Sequence, residues 1–174
     1  MVGYVAEQLD VVQLDIAGKD GLLAGHDLMS PYVWVRDGVC HLLVRVLKNP
    51  LEPGDPTGQI YAGVSDDGLN FRMLDKPAIA PGSEALDAGG CEDPTVVIAE
   101  ERLLLVFYTG VDAKREQGSL LVARGKNLTD LTKERVLLKA PEGWGNIKEA
   151  TVARCPDGCH RLFFEYPKDN ASRN

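Results

Sequence analysis

The residues most suited to chemistry stand together in Gly89-Gly90-Cys91-Glu92-Asp93-Pro94. Two adjacent carboxylates follow a pair of glycines and precede a proline that restricts the backbone. Side chains of neighbouring residues in a strand point to opposite faces, so one carboxylate of the pair can face a site while the other faces the scaffold. Cleavage of a glycosidic bond needs a proton donor and generally a second carboxylate across the sugar. Asp93 fits the donor. Glu149, in Asn146-Ile147-Lys148-Glu149-Ala150, is the candidate second group, with Lys148 beside it as a cation for a substrate oxygen or a phosphate. Arg45 ends the apolar run Leu42-Leu43-Val44, where a buried guanidinium needs an anion; Glu92, Asp93 or a bound anion would serve. The structural alternative is a turn cap at Asp93-Pro94 and a solvated Glu149 with a surface ion pair at Lys148.

A repeat must position these groups. Ser30-Pro31-Tyr32-Val33-Trp34-Val35, Asp93-Pro94-Thr95-Val96-Val97-Ile98 and Glu149-Ala150-Thr151-Val152-Ala153 each open on a polar residue, run as a strand, turn, and return as a second strand. The opening residues are spaced by 63 and then 56 residues, and Arg45 and Tyr108 both lie 15 residues after their openers. Apolar runs are short, rich in Val, Leu, Tyr and Phe, and bounded by Gly, Pro, Asp and Asn, which predicts many short strands and little helix. Val11–Ile16 reads as a further strand. A repeating unit of four short strands is a propeller blade, whose innermost strand lines the central channel. The expected fold is all-β: about two and a half blades, over roughly 29–81, 92–141 and 148–174, in a single partial domain. An unclosed blade leaves a sheet edge open to another chain, so a homo-oligomer is expected.

The 174 residues suit one domain. A net charge of −7 argues against nucleic acid and anionic membrane as partners. The opening residues lack a basic and apolar leader pattern, and no run approaches the length of a membrane helix, so the expected location is cytoplasmic. Cys155-Pro156-Asp157-Gly158-Cys159 reads as a hairpin turn with incidental thiols, without a second ligand pair for a metal. Trp34 reads as core, and Trp144 as core or a sugar-stacking ring.

On Met29-Ser30-Pro31, Leu42-Leu43-Val44-Arg45, Ser65-Asp66-Asp67-Gly68-Leu69-Asn70-Phe71, Gly90-Cys91-Glu92-Asp93-Pro94, Phe107-Tyr108-Thr109 and Ile147-Lys148-Glu149-Ala150, the sequence resembles glycoside hydrolase family 130. These are mannoside phosphorylases and hydrolases of the five-bladed furanosidase-like propeller type. The resemblance runs from about Leu28 to the C-terminus. It implies that Asp93 matches the catalytic acid and Lys148 a phosphate-binding lysine, with Arg45 at a basic position near the same pocket. The family usually carries arginine after the Glu-Asp-Pro motif, where this chain has Thr95, and its chains are about twice as long. The expected activity is hydrolysis or phosphorolysis of a β-mannoside or related glycoside. Asp93 and Glu149 are the catalytic candidates, and Ser30, Arg45, Glu92, Tyr108 and Lys148 the substrate-binding ones. No cofactor or metal is expected; inorganic phosphate is the candidate co-substrate. The alternative is a non-catalytic carbohydrate-binding or truncated remnant that self-associates through its open edge.

Overall fold

The computed structural model describes residues 12–82, 86–99 and 102–168 and the backbone of 171–173. Three antiparallel sheets follow one another along the chain. The first joins β1 (His26–Arg36), β2 (Val39–Lys48), β3 (Gln59–Ser65) and β4 (Arg72–Met73) in the order β1-β2-β3-β4. The second repeats the meander with β5 (Gly90–Ile98), β6 (Leu104–Val111), β7 (Gly118–Gly125) and β8 (Thr132–Leu138). The third holds β9 (Lys148–Arg154), β10 (His160–Lys168) and β11 (Ala171–Arg173). Helix among the described residues is confined to short 3-10 turns such as Lys19–Gly21, and none is long and apolar enough to cross a membrane.

Four-strand meanders with short connections are blades, and their first strands sit side by side: β5 packs against β1 on one side and β9 on the other. The innermost strands therefore form the inner wall that the repeat predicts. Apolar residues of facing sheets fill the seam between the first two blades. Leu43, Ile60 and Ala62 from one meet Val96, Val106 and Ala123 from the other, and each fully buried branched side chain contributes about 1.5–3 kcal/mol. Leu120, Ile147 and Ala150 close the second seam.

One strand expectation changes. The predicted strand over Val11–Ile16 is not formed in its described part. Residue 11 lies outside the described residues, and the rest makes only an isolated parallel bridge from Asp15 to Asn70. The outer strands β4 and β8 carry weak signals because β4 has two residues and β8 opens on the solvent-facing Thr132-Lys133-Glu134-Arg135. The stretch Cys155–Cys159 is the expected hairpin turn, closed by Gly158 N–H donating to Cys155 O at 2.9 Å.

The second blade is braced by Asp87, which is buried. Its carboxylate accepts from the Tyr108 hydroxyl at 3.0 Å and from Gly82 N–H at 3.0 Å, and it pairs with Lys133 Nζ at 2.5 Å. Removing such a carboxylate leaves a buried hydroxyl and an ammonium without their partner. Asp87→Ala is expected to lower unfolding free energy by about 3 kcal/mol, and Tyr108→Phe by about 1 kcal/mol, both read by urea denaturation.

Candidate active site

The three repeat openers share one backbone feature. Ser30, Asp93 and Glu149 are non-glycine residues with φ of 48°, 48° and 51°. In each innermost strand the pairing slips at that point. Met29 pairs with Arg45 and Tyr32 with Leu43; Glu92 pairs with Thr109 and Thr95 with Phe107; Lys148 pairs with Glu165 and Thr151 with Phe163. Two residues thus oppose one in all three blades, which is a β-bulge, a device that turns a side chain out of the regular alternation. Pro31 and Pro94 fill the second bulge position in two blades. A missing N–H costs nothing there because the ladder is already interrupted.

The bulges aim the three polar side chains at one another. Ser30, Asp93 and Glu149, with Pro31, Pro94 and Ala150 behind them, line a shallow cavity of about 260 Å³ at the strand openings. Ser30 Oγ donates to Asp93 Oδ1 at 2.6 Å. Arg45 lies behind this wall. Its Nη2 donates to Glu92 Oε1 at 2.8 Å and to Thr57 O at 2.7 Å, while Nη1 is 3.9 Å from Asp93 Oδ1. Arg45 therefore has the anionic partner its buried position requires, and it holds both carboxylates of the motif. Gly58 makes room for it: a Cβ there would come within 2.8 Å of Arg45 Cγ and of Cys91 O. Gly90 is equally constrained, since a Cβ would fall 3.0 Å from Thr57 N.

Burial raises the Glu92 carboxyl above its ordinary value, against the pull of the Arg45 and Lys148 charges. Glu149 is also raised, by burial of its carboxyl and then by a hydrogen bond and repulsion from Glu165. Lys148 Nζ is 4.0 Å from Glu165 Oε1. The third blade thus presents two interacting carboxyls, with the Lys148 charge beside them.

The structure brings together Ser30, Asp93 and Glu149 as lining groups, with Glu92, Arg45 and Lys148 in the layer behind. Tyr108 departs from the expectation: it is fully buried, with its hydroxyl on Asp87. The loop joining β5 to β6 is longer than the β1–β2 turn, so the true counterpart of Arg45 is Thr109, one residue on. A one-residue slip moves a side chain to the opposite face. The same register identifies Glu165 as the third-blade counterpart of Arg45, a site residue absent from the predicted set. Counting from the residue before each opener across the ladder, rather than by a fixed offset, finds it. Trp144 is placed against Tyr166, with ring centroids 4.0 Å apart, and beneath Lys168.

No protein-family model matches the chain. It is 31% identical over 108 residues to a 1,2-beta-oligomannan phosphorylase of Thermoanaerobacter sp. (strain X514), a match covering 60% of this chain and 36% of that protein. The structure of fructan 1-exohydrolase IIa from Cichorium intybus superposes with a TM-score of 0.66 at 25% identity, over 91% of this chain and 31% of that one. A family 117 glycoside hydrolase from the marine bacterium Zobellia galactanivorans superposes with a TM-score of 0.73 at 11% identity, over 92% and 54%. The fold is a partial five-bladed β-propeller. The resemblance to family 130 and its propeller relatives holds, and the relatives are glycoside hydrolases and phosphorylases. The chain spans about a third of the length of the curated relative and about half of the family 117 structure.

The Arg45 brace yields a pH-dependent prediction. Arg45→Met strands the Glu92 carboxylate, raising its folded pKa further. A carboxyl whose folded pKa exceeds its unfolded value binds more protons when folded, so stability is lost as pH rises through that window. The variant is expected to lose about 2–4 kcal/mol at pH 7 and markedly less at pH 4.5, measured by urea unfolding at both.

Proposed function

We propose that this chain carries the donor half of a glycoside-cleaving site, acting on a β-mannoside or related glycoside by hydrolysis or phosphorolysis. The observation that carries the reading is the convergence of Asp93 and Glu149 on one cavity through the same bulge in neighbouring blades. Asp93 gives its proton to the departing oxygen, directly or through a sugar hydroxyl. Glu149, hydrogen-bonded towards Glu165, is the second carboxyl across the ring. Ser30 orients Asp93, and Glu92 takes sugar hydroxyls from its place on Arg45. Lys148 is the cation for a sugar oxygen or for inorganic phosphate as co-substrate. Thr95, in the position of the family's arginine, is buried, which favours hydrolysis over phosphorolysis. The name of the Thermoanaerobacter relative supports an oligomannan as the substrate class.

The second reading is a carbohydrate-binding body that retains the pocket without turnover. It is favoured by the partial match, about a third of the oligomannan phosphorylase and about half of the family 117 structure, whose remaining blades would supply other parts of the wall. Each end of the blade series exposes apolar side chains: Met29, Val33 and Val35 on β1, and Leu162 and Phe163 on β10. We propose a second copy of this chain as the cover, since two sets of about two and a half blades amount to five.

Asp93→Asn is expected to lower turnover of a β-1,2-linked mannobiose at least about 100-fold while sparing sugar binding. Assays with and without phosphate separate the two reactions, and unchanged turnover sinks the role given to Asp93. Light scattering of the eluted chain is expected to show a dimer, and Val33→Glu with Phe163→Glu to convert it to a monomer.

A further inference from the structure

A cavity larger than the carboxylate one lies at the other end of the same strands. About six residues separate Ser30 from Arg36 along β1, or about 20 Å. There the β1–β2 turn, the opening of β6 and the connection from β7 to β8 enclose about 390 Å³ at the seam of the first two blades. This falls within the roughly 300–1,000 Å³ of small-molecule sites.

The walls and the rim differ in character. Trp34 and His41 form one wall, stacked with ring centroids 5.1 Å apart and planes 14° from parallel. Val64, Leu74, Leu104 and Leu128 supply most of the remaining apolar wall. Trp34 Nε1 and His41 Nδ1 are buried atoms with no hydrogen-bond partner among the described residues. Buried polar atoms of this kind are normally satisfied. Around the rim stand Arg36, Arg72, Arg102 and Lys126, with Asp37 as the one lining carboxylate among the described residues. Asp37 is shared by Arg36 and Arg102, and Arg72 pairs outside the cavity with Asp66. Lys126 has no carboxylate partner among the described residues. Among the described lining residues cations outnumber carboxylates, on a chain whose net charge is −7.

We infer that this seam is a second ligand site, distinct from the carboxylate cavity, for a small amphipathic anion: a flat apolar body bearing a carboxylate, sulfate or sulfonate head. The body lies along the Trp34–His41 stack, where planar rings pack by offset stacking. The anionic head lies at the rim, where guanidinium groups and an ammonium can take its oxygens in charge-assisted hydrogen bonds. A neutral sugar has no use for that rim, and the carboxylate cavity has no comparable excess of cations. The two ends of the strands are therefore complementary to ligands of different chemistry.

The probe is 2-naphthalenesulfonate, titrated into the intact chain by calorimetry with naphthalene-2-methanol as the neutral match. The chain has two tryptophans, so Trp144→Phe leaves Trp34 as the fluorescent reporter of occupancy at this wall. Saturable binding of the sulfonate below about 1 mM is expected, with quenching of Trp34 and affinity falling as salt is raised. The neutral probe is expected to bind at least tenfold more weakly. The double variant Arg72→Gln with Lys126→Gln, both rim residues, is expected to weaken the sulfonate at least tenfold. Asp93→Asn should leave it unchanged, which separates this site from the glycoside reading. Non-saturating heat, equal affinity for the neutral probe, or no effect of the rim variant would each overturn the proposal.

Discussion

Three innermost strands each place a non-glycine residue at φ near +50°, and the arrangement of the cavity depends on that repeated bulge. The left-handed conformation costs roughly 1–2 kcal/mol for an ordinary L-residue, and it recurs here in Ser30, Asp93 and Glu149. Without the bulge, regular alternation would set successive side chains on opposite faces of the strand. With it, one polar group from each blade leaves the ladder at the same height and turns to a common cavity. The bulge is therefore a positioning device, and the layers behind it exist to hold it.

That layer differs from blade to blade. Across the ladder from the residue before each bulge stand Arg45, Thr109 and Glu165, a cation, a neutral hydroxyl and a carboxyl in equivalent places. Arg45 fastens Glu92 and lies near Asp93. Thr109 donates to Ile147 O at 3.3 Å, tying the second blade to the residue just before Lys148. Glu165 meets Lys148 and Glu149. One backbone repeat thus carries three chemistries, and the asymmetry between Asp93 and Glu149 comes from this layer.

Much of this was legible in the sequence because the relevant signals are local. Polar opener, strand, turn and strand recur on single stretches of chain, so the blades and the trio Ser30, Asp93 and Glu149 follow from the pattern alone. The demand of Arg45 for an anion was also readable, since an arginine closing an apolar strand has few other solutions. Tyr108 was misplaced because cross-strand register depends on the length of the intervening loop, and an offset of one residue reverses a face. Asp87 and Glu165 act through contacts made across strands and loops, which no spacing along the chain reveals. The strand assigned to residues 11–16 had the right composition but, in its described part, only a single bridge partner.

The central claim is that the three bulge residues form one sugar-facing surface. Backbone amide NMR of the chain titrated with a β-1,2-linked mannobiose tests it most directly. Shifts concentrated at residues 29–32, 92–95 and 148–151, saturating together with one affinity, are the predicted result. Shifts confined to other surfaces, or separate affinities for the three bulges, would contradict the account.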